Sequence, residues 1–449
     1  MCILRNKEKL SMLSPDLIQR RPYSTLLVVF ACWKLILGLI AFTTPSPAYD
    51  TSTSLLLLQS NHDNASTFGV RFLKTICGSL TRWDAIFFAK IAEPGRGYWN
   101  EQEWAFGWGY TRVIAATRRV LCSFLPLDQL AHPYPEIISA VLLSNACHIA
   151  SVFVLYKLAF LFSKSPQRAH VLAWVTSVLH ILSPAGLFLS APYSESLFSL
   201  LSFTGAYLYA LSMKAVGSQQ HMRGNSLTLC SAIVFAAAST VRSNGLLNGI
   251  LFLFDFVPAL LSFDLVRVVV LGVGGVLVGA GVALPQYIAW GEYCISTPPL
   301  RPWCTKLVPS IYTYVQDVYW NVGLFRYWTL SNLPLFVLAA PTLLILFASG
   351  NWVLRQSKRN TDIVFRLAIS QLILAGMAIF SYHVQVITRL SSGSAVWYWW
   401  VAVKFIGEGD TMMRSSRSTE YRTLGWILRW MVMYGLIQGV LFAAFLPPA

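Results

Sequence analysis

LTLCSAIVFAAASTVRSNGLLNGILFLFDFVPALLS, residues 227–262, runs largely apolar around one polar island, TVRSNG at 240–245. A transmembrane helix needs about 20 apolar residues. The 36 residues of this stretch therefore hold either one overlong span or two spans with a break at the island. The choice fixes the side of the membrane on which everything downstream lies. With two spans, NWVLRQSKRNTD (351–362) falls on the same side as the N-terminal segment with Arg5, Lys7, Lys9, Arg20 and Arg21. Its Arg355, Lys358 and Arg359 then obey the tendency of cytoplasmic loops to gather positive charge. One span would invert that loop, so two are assigned.

The composition agrees with a membrane-embedded chain. Of 449 residues 55% are hydrophobic and 12% charged, and the mean hydropathy is +0.56. Soluble domains carry about 25% charged residues. The reading is an all-α polytopic membrane protein, a single integral-membrane domain over 1–449. The net charge of +15 does not indicate a nucleic-acid partner, because the basic residues are dispersed among apolar spans and form no continuous patch. Spans are expected near 23–43, 137–162, 169–190, 197–213, 227–241, 246–262, 267–290, 331–349, 363–383, 393–406 and 424–446, about 11 in all. The segment 393–406 is short and reads as re-entrant or interfacial. Residues 1–22 are expected to form a cytoplasmic tail and not a cleavable signal, since a long polar stretch precedes a run long enough to span.

On this count the loop 44–136, APYSES (191–196), TVRSNG, the loop 291–330 and HVQVITR (383–389) all lie on the non-cytoplasmic side. The sequon Asn64-Ala65-Ser66 fits that side if it is used, and Cys77, Cys122, Cys294 and Cys304 fall where disulfides are possible. Cys2, Cys32, Cys147 and Cys230 lie in the tail or in spans. No metal-ligand spacing, no internal repeat and no nucleotide-binding glycine loop is found, so neither metal nor cofactor is expected.

Five polar segments could carry chemistry. RWDAIFFAKIAEPGRGYWNEQEWAFGWGYTR (82–112) mixes the acids Asp84, Glu93, Glu101 and Glu103 with aromatics. Flat rings stack on a sugar and acids hold its hydroxyls, and a carboxylate partly removed from water can act as a general base. Arg82 cannot neutralise Asp84 within a helix, because residues two apart do not face each other. A cap, or a pairing with a distant Arg, is the structural alternative for Asp84. In LSPAGLFLSAPYSESLFSLLSF (182–203), Ser194 could cap the next helix and Glu195 could sit near its positive end; a functional role for Glu195 stands beside that. In TVRSNGLLNG (240–249), Arg242 and Asn244 interrupt an apolar run. Buried Arg242 requires an anion, either a phosphate or an acid such as Asp84 or Glu195. HVQVITR places His383, Gln385 and Arg389 on one side if extended and scatters them if helical. The aromatics of RPWCTKLVPSIYTYVQDVYWNVGLFRYW (301–328) form an interfacial belt or a platform for a lipid-linked substrate.

Taken in order, RWDAIFFAKIAEPGRGY, EQEWAFGWGYTR, SPAGLFLSAPYSESLFSLLSF, RSNGLLNG, PWC with PSIYTYVQDVYWNVGLFRYW, and HVQVITR resemble the GPI mannosyltransferase 2 family along roughly 20–446. One departure is AFGWGYTR, where relatives often carry a proline-rich end; Gly107 and Gly109 leave that turn's geometry open. The resemblance implies a GT-C-like bundle in the endoplasmic reticulum membrane, with a large first lumenal loop carrying short helices. It implies transfer of mannose from dolichol phosphate mannose, a co-substrate and not a cofactor, to the first mannose of the GPI precursor. The link formed is α1,6 and the anomeric centre inverts. It implies Asp84 as catalytic base, and Arg82, Trp83, Glu101, Glu103, Glu195, Arg242, Asn244, Trp320, Asn321, His383, Gln385 and Arg389 as substrate-binding residues. Partners are the two lipid substrates, the bilayer and a small accessory membrane subunit. The competing readings are another enzyme using the same donor, a lipid or solute transporter, and a non-catalytic scaffold. Against the transporter stand the missing repeat and the one-sided polar segments.

Overall fold

The computed structural model describes residues 15–44, 48–58, 68–163, 166–295, 301–356, 362–406 and 414–446. Asn64, Cys2 and most of the N-terminal tail lie outside them. The regular elements among the described residues are all helices, with no strand. Among them nine helices are long and apolar enough to cross a membrane: Pro22–Thr43, Tyr134–Phe162, Glu195–Gly217, His221–Val241, Ser243–Leu261, Leu265–Ile295, Leu330–Gln356, Ile363–Phe380 and Leu424–Ala443. The chain is a multi-pass membrane protein.

Nine of the eleven expected spans coincide with these helices. The other two are shorter. Pro166–Ile181 has 16 residues and Ala395–Ile406 has 12, which is about 24 Å and about 18 Å of helix at 1.5 Å per residue. They pack against each other inside the bundle. The expected span 169–190 ends early because Pro184 and a run of turns follow; Gly186–Leu189 is a separate 3-10 turn.

The break in 227–262 is real. His221–Val241 ends, Arg242 is extended at φ −150° and ψ 136°, and Ser243–Gly249 forms a 3-10 helix before Ile250–Leu261. Arg242 thereby leaves the helical ladder. A tight contact holds the first loop against this break. A Cβ added to Gly107 would lie 1.9 Å from the Val241 carbonyl oxygen, and one added to Gly109 would lie 2.1 Å from Thr240 Oγ1. These two glycines of AFGWGYTR are the points where the start of the helix Trp108–Phe124 approaches the break. The loop 301–322 is pinned to the long helix Leu265–Trp290, because Gln286 Oε1 accepts from Ser310 Oγ and from the Tyr312 N–H, both at 3.0 Å. Within the same loop system Cys294 and Cys304 form a disulfide, while Cys77 and Cys122 are free.

Gly107→Ala is expected to destabilise the protein by about 1–3 kcal/mol, as forced overpacking does. Gly275→Ala, with no atom within 4 Å of the new carbon, is expected to be neutral or slightly stabilising. Thermal denaturation midpoints in one detergent compare the two; equal midpoints would mean that the loop is not packed on the break.

Candidate active site

A cleft of about 600 Å³ opens where the five polar segments meet. Its walls include Trp83, Asp84, Phe87 and Phe88 from the first loop, Tyr193 and Ser194, the break residues Thr240 to Asn244, Tyr312 and Trp320, and His383 and Arg389. Asp84 and Arg389, 305 positions apart in the chain, thus share one surface.

Asp84 is the first residue of the helix Asp84–Ile91. Trp83 precedes it with φ 54°, turning the chain so that the helix starts at the cleft. Phe87 stacks on Phe106 at 4.7 Å, and Phe88 meets Tyr110 edge-on at 4.9 Å. The apolar face of the helix is buried by these rings, while the Asp84 side chain keeps 38% exposure.

Four charged groups form a chain. Arg389 Nη1 donates to Asp84 Oδ2 at 3.2 Å. Arg389 Nε lies 3.5 Å from Glu195 Oε1, and Arg242 Nη1 donates to that same oxygen at 2.8 Å. The formal charges of Asp84, Arg389, Glu195 and Arg242 sum to zero. Glu195 sits behind the cleft wall, 1% exposed. Arg389 also lies over the rings of Phe188 and Tyr193, at 4.6 and 5.4 Å. Burial opposes its charge, but Glu195 and Asp84 more than offset this and hold its pKa above the ordinary value. Burial, reinforced by the Asp84 charge, pushes the Tyr193 phenol well up; neutral at physiological pH, it donates to the Arg82 carbonyl at 2.9 Å. Arg242 therefore has the protein acid as its anion, and it still presents a face to the cleft. Ser194 precedes the helix Glu195–Gly217 but makes no side-chain cap; its hydroxyl accepts from Arg242 Nη1 at 3.0 Å instead.

HVQVITR is not extended. Val384–Val386 is a 3-10 turn and Ile387–Leu390 a helical one. The turn brings His383 and Arg389 to the cleft and sends Gln385 away, where its Oε1 accepts from Tyr327 OH at 3.1 Å. The His383 ring stacks on Tyr327 at 4.8 Å, and its Nε2 is 3.2 Å from the Trp320 carbonyl. A carbonyl only accepts, so Nε2 is the protonated nitrogen.

Several expected substrate contacts lie elsewhere. Arg82 turns from the cleft and donates through Nε to the Ala443 carbonyl at 3.1 Å. Burial pulls its guanidinium down to about 10, with Asp50 opposing, so it stays charged at neutral pH. Glu101 accepts from Trp303 Nε1 at 3.1 Å and Tyr319 OH at 3.4 Å, tying the first loop to the second. Glu103 is bound by Arg96 Nη2 at 2.6 Å and by the Trp99 N–H at 2.9 Å. Burial pushes its carboxyl up, and the bonds from Arg96 and Asn100 outweigh this, so its pKa lies below the ordinary value. Asn321 is exposed, at φ 49°. The residue between the two glutamates, Gln102, does line the cleft, as do Thr240, Gln286 and Gln316. Thr240 belongs to the island TVRSNG, while the three glutamines are uncharged and nothing in the sequence singled them out. Among the described residues no cluster of His, Cys, Asp and Glu could hold a metal ion.

A family model described as mannosyltransferase (PIG-V) matches residues 24–449. GPI mannosyltransferase 2 of Aspergillus oryzae is 39% identical over 458 residues, covering 98% of this chain and 99% of that protein. The protein of the same name from Chaetomium globosum is 40% identical, covering 96% and 97%, and that from Candida albicans 28%, covering 94% and 99%. Among solved structures, the apo oligosaccharyltransferase of Archaeoglobus fulgidus superposes with a TM-score of 0.49 at 11% identity. That overlay covers 92% of this chain and 56% of the archaeal one, so the chain spans little more than half its length.

Glu195→Gln is expected to cost about 3 kcal/mol, because it leaves two partly buried guanidiniums without their shared counter-charge. Denaturant midpoints measure it. A variant as stable as the parent would show that the negative charge is not what joins Arg242 to Arg389.

Proposed function

The chain belongs to the PIG-V mannosyltransferase family, and from that premise we propose that it moves mannose from dolichol phosphate mannose to the first mannose of the GPI precursor, forming the α1,6 link with inversion. Membership removes the transporter and scaffold readings. The named activity of the fungal relatives, which the chain matches along nearly its whole length, supports this acceptor over others served by the same donor. We place the enzyme in the endoplasmic reticulum membrane, with the cleft facing the lumen and the N-terminal segment in the cytoplasm. Both substrates are lipid-linked, and no cofactor or metal is invoked.

One observation carries the mechanism: a carboxylate and two guanidiniums, from positions 84, 242 and 389, meet at one cleft. In an inverting transfer the acceptor oxygen attacks C1 of mannose, the bond from C1 to the phosphate oxygen breaks, and dolichol phosphate leaves. Asp84 accepts the hydroxyl proton. Arg389 and Arg242 offset the charge that grows on the departing phosphate, an interaction strongest in the transition state. A phosphate bound to Arg389 competes for the bond that Arg389 now makes to Asp84, and so frees the carboxylate to act as base. His383, Asn244, Trp83 and Trp320 line the remaining surface for the sugars.

Transfer is measured in membranes holding equal amounts of parent protein or Asp84→Asn, with dolichol phosphate mannose and a one-mannose GPI acceptor. A loss of about 10²-fold or more with acceptor binding retained is expected for a lost general base. Near-normal transfer by the variant would remove Asp84 from the chemistry. If the parent in membranes transfers and the purified chain does not, a small accessory membrane subunit is required; if neither transfers, the assigned acceptor is wrong.

A further inference from the structure

The turn that delivers Asp84 consists of Thr81, Arg82 and Trp83, and each is held from outside the turn. Thr53 Oγ1 donates to the Thr81 carbonyl at 2.5 Å. The Tyr193 hydroxyl donates to the Arg82 carbonyl, and Arg82 Nε to the Ala443 carbonyl. The Trp83 ring lies against Phe445, centroids 5.1 Å apart. Trp83 needs such support. A residue other than glycine held at φ 54° is strained and persists only where its surroundings over-determine it.

Two of these four supports come from one place, the end of the helix Arg414–Ala443. There the chain closes into a turn, with the Phe445 N–H on the Phe442 carbonyl at 3.0 Å and the Leu446 N–H on the Leu441 carbonyl at 2.9 Å. Phe445 is 3% exposed and packs with Leu56 and Ile86. The guanidinium of Arg82 also lies over its ring at 5.3 Å. The same helix end reaches the partner of Asp84. Phe442 is fully buried and meets Phe188 and Tyr193 edge-on at 5.2 and 5.8 Å. Those are the two rings over which Arg389 lies. One turn earlier, Gln438 Oε1 accepts from the Leu187 N–H at 3.2 Å and so holds the turn that carries Phe188. Phe442, Phe445 and Gln438 are not among the residues that line the cleft.

We propose that residues 438–445 are the positioning element of the catalytic pair: Phe445 sets Trp83 and through it Asp84, while Phe442 sets Arg389 through Phe188 and Tyr193. This rests on the reading of Asp84 as the base. Neither aromatic touches a substrate. Their effect is geometric, and a base misplaced by about 1 Å loses on the order of 10²-fold in rate.

The test uses the full chain in the same cell membranes as above, with both lipid substrates. Phe445→Ala is expected to lower kcat by about 10–100-fold, with KM for donor and acceptor within about twofold, and Phe445→Tyr, which keeps the ring, to restore the rate. Phe445→Leu, which keeps volume without the planar face, replaces the alanine variant if that one does not accumulate. In an Asp84→Asn background Phe445→Ala should add no further loss, because a residue acting through the carboxylate has nothing left to place. Phe235→Ala, at another fully buried ring that does not line the cleft, should lower the melting midpoint and leave kcat per folded molecule unchanged. An unaltered kcat in Phe445→Ala, or a loss that multiplies in full with Asp84→Asn, overturns the proposal. A parent protein that transfers no mannose overturns the reaction assigned above, and this proposal with it.

Discussion

Glu195 is a carboxylate with 1% exposure inside an apolar bundle, and it shares a single oxygen between two arginines. Charge at that depth is costly unless it is neutralised. Much of the local architecture follows from meeting that demand. Arg242 reaches Glu195 because the helix stops at Val241 and the arginine is extended. Arg389 reaches it from a short helical turn between the helices Ile363–Phe380 and Ala395–Ile406. Asp84 then balances the second guanidinium. Removing one member strands the others, so the four charges behave as one object and their separated segments have to converge.

Convergence of helix ends is harder to secure than convergence of helix flanks, because ends lack a continuous apolar stripe. The fold does it with close approaches and pins. Gly107 and Gly109 let the first loop touch the backbone at the break. Gln286 holds the second loop, Glu101 joins the two loops through Trp303, and Glu103 staples residues 96–100 within the first. The acids that sequence reasoning assigned to substrate are thus used in building the wall. An acid next to aromatics is as useful for joining two loops as for holding a sugar hydroxyl, and composition alone does not separate those uses.

The spans were legible because a stretch of about 20 apolar residues matches the thickness of a bilayer and little else in a protein requires one. The island TVRSNG was legible because Arg242 cannot continue an apolar helix without a partner. Asp84, Arg242 and Arg389 stood out for the same reason: each is an ionisable group where hydropathy predicts none. The misreadings have local causes. A period of two placed His383, Gln385 and Arg389 together, but the chain there winds into a 3-10 and then a helical turn, so Gln385 departs and Arg389 stays. Ser194 had the right residue type and position for a cap, yet a guanidinium at 3.0 Å competes better for its oxygen. Gln102 and Phe445 were invisible because neither is unusual where it stands. A glutamine in a loop and a phenylalanine at a helix end acquire meaning only from what the fold brings beside them.

The pairing of Asp84 with Arg389 also bears on how a base can work in this setting. A carboxylate that must accept a proton should not be fully stabilised as an anion, yet a bare carboxylate beside the bilayer would be expensive to maintain. Holding it through one bond of 3.2 Å to an arginine with a second partner resolves the conflict. The contact keeps Asp84 placed. It is also exchangeable, because Arg389 has a second ion-pair partner in Glu195, 3.5 Å from its Nε. A phosphate ester is such an anion, and it arrives with the mannose to be transferred. On the reading proposed here, binding of the donor itself converts a structural ion pair into a catalytic one. The base becomes free only when there is an activated sugar for the acceptor to attack, so the donor's phosphate serves both as leaving group and as the signal that the site is loaded.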